Sequence, residues 1–575
     1  MDLGSFAKRI LNLDERRLAI YIFLTCFTAR VLLGMLYIKR YGLHATPLQE
    51  TYFYFGVSNK TFELLPFDPT FWILRSLGLV LPERLLYFGV VLSATILSSL
   101  APVLVFFLVR ELHEKSIALA SSLIFGFMIE PLASGILIFS HDIVQVLILI
   151  FILYLTIRIK KSRTFKEKTT YTPFLLLFIF LSSQVNMVVF VIPLILFCYF
   201  IYHIFSPFAG RLGISDKRYF LYYALFLIFL FVLVRYLIFS NLMVVMDFMS
   251  SLSLRTRGID LVNQLLAGSP DLLPADLSEF WGKYNVLLIL LPFSLYGCYL
   301  KRDALSLSVF VVGLSSSLIF SRGTRVLDIG VAMLSPLAFY FLRREHLKYL
   351  VTSALAALII VFFMVAPVLV VEKISFLYIS PLLIALLFII AFQRFNLRGA
   401  LSLTLLIFIL FNTLYFSLVF TEPQVSEAEF QAMSFLREQD DGKVLVNWGL
   451  GFFVEAVSGL EPTASPTNVN FDYQRILLSS EENVLQVLME GNVRYIIVSD
   501  RRFKLFLNPI TNQLDIYMDP SFSPFLRGDV TFSEIKNFLI YKMLYEEREL
   551  KNFKLIFEIK DEKTGYVVRI FKVMG

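Results

Sequence analysis

The sequence predicts a polytopic α-helical membrane protein: about thirteen transmembrane helices followed by a water-soluble α/β domain. Three observations carry that reading. The chain is 57% hydrophobic and 17% charged, where soluble proteins run near about a quarter charged. Its mean hydropathy is +0.73. Apolar runs of about 17 to 25 residues recur along most of the chain, then give way to charged, periodic sequence near residue 424.

Water is absent from the bilayer core, so each run must satisfy its own backbone hydrogen bonds as a helix. The runs lie near 18–38, 86–109, 116–138, 143–159, 171–186, 188–205, 219–239, 284–300, 304–320, 326–342, 349–371, 374–392 and 399–420. The first lacks a small-residue cleavage site and is read as an uncleaved transmembrane helix. The fifth and sixth meet at Ser182-Ser183-Gln184-Val185-Asn186 with almost no loop. Two connections are long, near 39–85 and 240–283, and long loops are usually functional. The expected division is a transmembrane region over 1–423 and an α/β domain over 424–575.

Orientation follows from Lys and Arg. The N-terminal segment and every second loop hold Arg16-Arg17, Arg110, Lys115, the basic run from Arg158 to Lys168, Lys217-Arg218, Lys301-Arg302, Arg343-Arg344, Arg394 and Arg398. About 22 basic residues fall on that side against about 11 on the other, which puts the N-terminus in the cytoplasm. Thirteen spans then place the C-terminal domain outside the cell membrane. The net charge of +7 is a topology signal and argues for no nucleic-acid partner. Cys26, Cys198 and Cys298 all fall in apolar stretches, so neither a disulfide framework nor a thiolate metal site is expected.

The tail alternates helix and strand signals. Residues 426–437 read as a helix; Lys443-Val444-Leu445-Val446 and Tyr495-Ile496-Ile497-Val498 read as strands. No internal repeat or low-complexity tract is visible.

Chemistry is sought among the polar residues expected on the outer face. Glu50 and Asp68 lie in the first long loop, and Ser140-His141-Asp142 at the start of the fourth run. Arg322 and Arg325 follow the ninth run; Arg255, Arg257, Asp260 and Asn263 lie in the second long loop. Carboxylates from separate loops could hold a hard divalent cation through oxygen, and an arginine beside it would stabilise a phosphate leaving group. Each residue alone also has an ordinary reading: Asp142 as a helix cap, His141 as an interfacial side chain.

With that topology laid out, the chain resembles the catalytic subunit of oligosaccharyltransferase, within the GT-C class of membrane glycosyltransferases. In the tail, Val444-Leu445-Val446-Asn447-Trp448-Gly449-Leu450-Gly451 resembles the family's strand and Trp-Trp-Asp-Tyr-Gly motif. Trp448 and Gly451 match it; Asn447, Gly449 and Leu450 depart. The stretch Ile496-Ile497-Val498-Ser499-Asp500, with Lys504, is similar to the strand and Asp–Lys motif that follow. Glu50 lies where the family has its first-loop Asp, and Asp142, preceded by His141, where its second acidic motif opens helix four. Phe280-Trp281-Gly282-Lys283-Tyr284 resembles the end of the family's large external loop.

The resemblance implies a thirteen-span GT-C-like fold and transfer of a sugar or oligosaccharide from a polyprenyl-phosphate-linked donor to an extracytoplasmic protein or glycan acceptor. It implies Glu50 and Asp142 as catalytic residues and, with His141, as ligands of a divalent cation, Mn or Mg. Arg322 and Arg325 would bind donor phosphate; Asn447, Trp448 and Gly451 would contact acceptor. Two other readings stand beside it. A non-catalytic relative in envelope glycan assembly fits the eroded motifs. A lipid or sugar transporter fits less well: the deep charges nearest the membrane centre are Arg30, Glu130 and Arg235, and there is no repeat.

Overall fold

The computed structural model describes residues 12–46, 50–58, 69–133, 135–136, 141–184, 188–240, 280, 283–284, 286–318, 323–338, 408–409, 412–413, 423–465, 470, 472–507, 514–518 and 532–574. The runs expected near 349–371 and 374–392, most of the run at 399–420 and most of the loop at 240–283 lie outside these residues.

The first half is helical. α1 (Glu15–Tyr41) crosses first, capped at its start by the Asp14 carboxylate on the Arg17 N–H. Two short helices, α2 (Glu50–Ser58) and α3 (Pro69–Val80), occupy what the sequence presents as a loop. The helices α4 (Glu83–Leu112), α5 (Lys115–Phe127), α6 (Ile129–Ala133), α7 (His141–Lys161), α8 (Phe165–Gln184), α9 (Val188–Arg211) and α10 (Asp216–Ser240) follow. Among the described residues, four helices are long and apolar enough to cross a membrane by length and composition: Glu15–Tyr41, Arg84–Leu112, Asp142–Lys161 and Val191–Arg211. The chain is a multi-pass membrane protein. Exposed Phe, Leu and Ile side chains cover α1, α9 and α10, as lipid-facing helices require.

The expected single span at 116–138 is corrected. α5 ends at Phe127, and thirteen residues rise only about 20 Å, short of the hydrocarbon core of about 30 Å. A helix that stops there must have its last carbonyls met by protein. Arg30, 1% exposed, donates Nη2 to Gly126 O at 3.2 Å and to Pro131 O at 2.9 Å. Asn412 Nδ2 donates to Phe127 O at 2.7 Å, and Thr95 Oγ1 to Gly135 O at 2.7 Å.

Next come α11 (Val286–Lys301), α12 (Ala304–Ser317) and α13 (Thr324–Leu334). α12 and α13 form a tight hairpin. A Cβ at Gly313 would come within 2.6 Å of Leu327 N, and one at Gly330 within 2.6 Å of Phe310 Cα, so both positions require glycine for the backbones to approach. Cys26, Cys198 and Cys298 are free and buried.

The tail opens with α14 (Glu427–Leu436), held by a capping box between Ser426 and Glu429. Then come β1 (Lys443–Leu445), a 3₁₀ turn (Trp448–Leu450), α15 (Gly451–Ser458), α16 (Asp472–Leu477), α17 (Glu481–Glu490), β2 (Val493–Ser499), β3 (Phe503–Leu507) and β4 (Leu514–Met518). The helices α18 (Phe532–Lys536) and α19 (Leu539–Tyr545) and the strands β5 (Phe553–Lys560) and β6 (Val567–Val573) close the chain. The main sheet runs β1-β2-β6-β5, with β1 and β2 parallel and the other pairs antiparallel; β3 and β4 pair separately.

Both faces of the sheet are covered, which explains the unbroken apolar run of β2. Tyr495 and Ile497 join the cluster that includes α14 and the membrane helices. Ile496 and Val498 join a second cluster with α16, α17 and α19. The tail is fastened to the first loop. Thr46 and Val425 exchange backbone bonds at 3.1 and 3.3 Å. Glu427 takes the His44 N–H and ring at 2.9 Å each, while the His44 ring stacks on Phe430 at 3.9 Å. Burial pushes the Glu427 carboxyl up, but the His44 bonds and charge and the nearby Lys563 outweigh it and hold it below the usual carboxylate range.

Candidate active site

α13 begins where its hairpin with α12 fixes it, and its first two turns carry three polar residues: Thr324, Arg325 and Asp328. Arg325 reaches the first turn of α7, where its Nη1 lies 2.6 Å from Asp142 Oδ1. The Asp142 side chain is 6% exposed and that of Arg325 21%, so this is a largely buried ion pair. Asp328 is 1% exposed and accepts the Tyr284 hydroxyl at 2.8 Å. Lys283 Nζ donates to Thr324 Oγ1 at 3.1 Å. Phe280 stacks on Tyr284 with ring centroids 6.2 Å apart. The segment quoted from the end of the second long loop therefore packs along the polar edge of α13.

The other wall comes from α2. Tyr54 and Val57 of α2, Leu74 of α3, Val90 and Ala94 of α4 and Ile143 of α7 form one apolar cluster. Ile143 follows Asp142 directly, and Tyr54 lies one helical turn after Glu50, so α2 and the start of α7 are neighbours. Glu50 opens α2 and His141 opens α7; Arg322 lies outside the described residues.

α2 is also where the tail docks. Tyr52 meets Phe453 of α15 with ring centroids 4.6 Å apart, and Phe53 meets Phe452 at 4.6 Å. The Tyr52 hydroxyl donates to His44 O at 2.6 Å. Just before α15, Asn447 Oδ1 accepts the Gly449 N–H at 2.9 Å and Asn447 O accepts the Leu450 N–H at 2.8 Å. That is a local turn bond, so Asn447 spends its side-chain acceptor on shaping the Trp448 turn. A Cβ at Gly451 would come within 2.6 Å of Ser465 Cα, so the tail's 462–465 segment needs glycine there. Trp448 is half-buried.

The structure brings Asp142 and Arg325 into contact and places both on the side of the fold where α2, α7 and α13 converge. It adds Asp328, Tyr284 and Lys283. Asp328 is a correction to the set of deep charges read from sequence: it lies inside the apolar run at 326–342, and an acid in such a run is itself a signal. Among the described residues, no three His, Cys, Asp or Glu side chains converge as a cation site. The one expected ligand whose side chain is described, Asp142, is engaged by a guanidinium, and that cation would repel a divalent ion. The described part of the site does not fit a resident metal.

Chemically, a guanidinium fork with one arm on a carboxylate retains further N–H donors suited to a phosphate oxyanion. The carboxylate beside it is buried and paired, which suits it to orient a hydroxyl or amide nucleophile.

A protein of this class, multi-pass with a broken intramembrane helix beside an acid–arginine site and a docked α/β tail, can be compared with known ones. No family model matches the chain, and no curated protein does. Solved structures do match. The oligosaccharyltransferase of the archaeon Archaeoglobus fulgidus, tethered to an acceptor peptide containing an NVT sequon, aligns with TM-score 0.55 and 13% identity over 94% of this chain and 80% of its own. The oligosaccharyltransferase AglB from the same organism, in complex with an inhibitory peptide and a dolichol-phosphate, aligns with TM-score 0.53 and 12% identity over 93% and 80%. A complex of the first of these enzymes with Zn and sulfate aligns with TM-score 0.50 and 13% identity over 92% and 78%. The chain has the fold of this GT-C oligosaccharyltransferase across nearly its whole length, at an identity that speaks to fold alone.

Proposed function

We propose that this protein is a membrane glycosyltransferase of oligosaccharyltransferase-like fold. It moves a sugar or oligosaccharide from a polyprenyl-phosphate-linked donor to an extracytoplasmic acceptor, with the N-terminus in the cytoplasm and the tail from 424 outside. The observation that carries the reading is the buried Asp142–Arg325 pair at the meeting point of α7, α13 and α2. The solved relatives hold a dolichol-phosphate and an acceptor peptide, which favours a lipid-phosphate donor here.

In this reading the acceptor nucleophile attacks the anomeric carbon while the bond from that carbon to the phosphate oxygen breaks. The electron pair leaves with the polyprenyl phosphate. Arg325 and Arg322 hold that phosphate, and Lys283 adds a cation nearby. Asp142 and Glu50 orient the acceptor and take its proton. Trp448 offers an aromatic face to the acceptor, while Asn447 and Gly451 shape the turn that presents it. The relative with Zn and sulfate makes a divalent cation a natural question for this site; no step here is routed through one, because the described donors do not fit it.

The test uses full-length protein in nanodiscs, with binding of radiolabelled polyprenyl phosphate and transfer from a polyprenyl-linked sugar measured in parallel. Arg325→Ala is expected to weaken phosphate binding by about tenfold or more, the worth of a charged hydrogen bond. Asp142→Ala is expected to abolish transfer while binding persists. Binding that ignores Arg325→Ala in a folded protein would overturn the assignment. Binding by the wild type without transfer to any acceptor would move the protein to the non-catalytic reading.

A further inference from the structure

A second polar cluster lies at the opposite end of α7. The helix has 21 residues, a rise of about 31 Å, so Lys160 sits at the far membrane interface from Asp142. Lys160 Nζ lies 3.2 Å from the Tyr199 hydroxyl and 2.5 Å from His203 Nε2, and 5.0 Å from the Tyr199 ring centroid. Tyr199 is buried at 4% exposure and meets His203 edge to face at 4.6 Å. Two nitrogen bases and a hydroxyl thus converge on one point.

Four bases on this side of the fold have carboxylates. Arg158 and Lys161 share Glu111 at 3.1 and 3.5 Å, Arg110 takes Glu15 at 2.8 Å, and Arg302 takes Asp216. Lys160 meets no carboxylate among the described residues. An ammonium bonded to an imidazole and a phenol hydroxyl, at a membrane interface and without an acid, has its charge uncompensated; an anion seated against the outer side of that ammonium would supply it.

The surroundings say what kind of anion. Tyr199 and His203 stand four residues apart on α9, so they share a face. The positions that follow each, Phe200 and Ile204, are exposed at 46% and 58%, and Phe197 at 54%. A polar head site and an apolar track therefore run side by side along one helix, the track leading toward the membrane centre. A soluble anion has no use for that track; a phospholipid has.

We propose that Lys160, His203 and Tyr199 form a binding site for the phosphate of an anionic phospholipid in the leaflet opposite the Asp142–Arg325 site, with an acyl chain along Phe200 and Phe197. The site is independent of the transfer reaction proposed above.

The test reconstitutes the full-length protein in nanodiscs of phosphatidylglycerol and phosphatidylcholine in equal amounts. It is then moved into mild detergent, and the retained lipid is quantified by mass spectrometry. The wild type is expected to retain phosphatidylglycerol over phosphatidylcholine. Lys160→Ala and His203→Ala are each expected to cut that retention roughly fivefold, the size set by one basic residue at an anionic surface. Lys160→Arg is expected to keep it. Lys168→Ala, exposed at the start of α8 on the same side, is expected to leave it unchanged. Inorganic phosphate is expected not to displace the lipid. Should Lys160→Ala fail to fold, Lys160→Gln keeps a stem over Tyr199 and gives the same reading. Unchanged retention in a folded Lys160 variant, an equal loss with Lys168→Ala, or full displacement by inorganic phosphate would each overturn the proposal.

Discussion

Asp142→Asn tests the central pair with two effects of opposite sign. At 2.6 Å the attraction between the two charges is about 6 kcal/mol at an effective dielectric of about 20, before desolvation is subtracted. Removing one member of a buried pair costs about 3–5 kcal/mol, because the other charge stays behind; with Arg325 at 21% exposure the lower end applies, about 3 kcal/mol. Asn keeps the shape and loses the charge, so packing is left nearly intact. The apo protein is therefore expected to unfold earlier in a mixed-micelle denaturation series. Phosphate should gain in the same variant. In the wild type a donor phosphate must compete with Asp142 for the Arg325 fork; in the variant it is the fork's anion without that rival. Polyprenyl phosphate is expected to bind roughly tenfold more tightly to Asp142→Asn, a shift of about 1.4 kcal/mol, and to restore part of the lost stability. Stability unchanged within about 0.5 kcal/mol together with unchanged affinity would refute both the ion pair and the competition.

Three further outcomes can be checked separately. Arg30→Met removes the donor to Gly126 and Pro131 at the broken end of α5 and is expected to destabilise by about 3 kcal/mol or more, read by the same denaturation series. Gly451→Ala places a methyl against Ser465 and is expected to cost about 1–3 kcal/mol, seen as easier proteolysis of the tail. The junction at Glu427 should depend on pH. Its carboxyl is held below the usual range in the folded protein, so its stabilisation is fully present above the unfolded value of about 4.3 and is lost as pH falls through the lower folded value. Hydrogen exchange at 42–46 and 425–430 is expected to rise only below about pH 4, and Glu427→Gln to abolish that dependence.

Much of the architecture was legible because it follows from length and hydropathy. The split between α8 and α9 falls where Gln184 to Asn186 interrupt two apolar runs, and β1 and β2 lie where the short apolar runs at 443–446 and 495–498 place strands. What failed was local. The run at 116–138 is apolar almost throughout, so hydropathy cannot see that α5 stops at Phe127; only Pro131 hints at it, since a proline has no N–H to give the carbonyl four residues back, that of Phe127. The donors that make the break tolerable, Arg30 and Asn412, lie far off in sequence. The first loop hid α2 and α3 because helices this short leave little periodic signal. At the site, Asp142 and Arg325 could be named singly as polar residues at helix starts, but their pairing is a product of tertiary packing. Asp328 escaped because it was absorbed into a span.

That pairing also depends on how the first turns of α13 are held, and Tyr284 is where this can be examined. Asp328 follows Arg325 by three positions on α13, so the two carry the same turn of helix. The Tyr284 hydroxyl at 2.8 Å gives the buried Asp328 carboxylate a donor, and Lys283 holds Thr324 at the helix start. With Gly313 and Gly330 locking α12 to α13, the first turn of α13 is clamped from two sides. Tyr284→Phe withdraws the donor and leaves the ring, and is expected to cost about 1–3 kcal/mol of stability. If Asp328 serves only to hold α13, polyprenyl phosphate binding measured well below the unfolding transition should stay within about twofold of wild type. Arg325→Lys should behave in the reverse way. It keeps the charge and most of the stability but gives up the planar fork, and phosphate binding should fall. A Tyr284→Phe protein that is fully stable, or one that loses phosphate binding as strongly as Arg325→Lys, would mean that Asp328 is not a support for the site but a part of it.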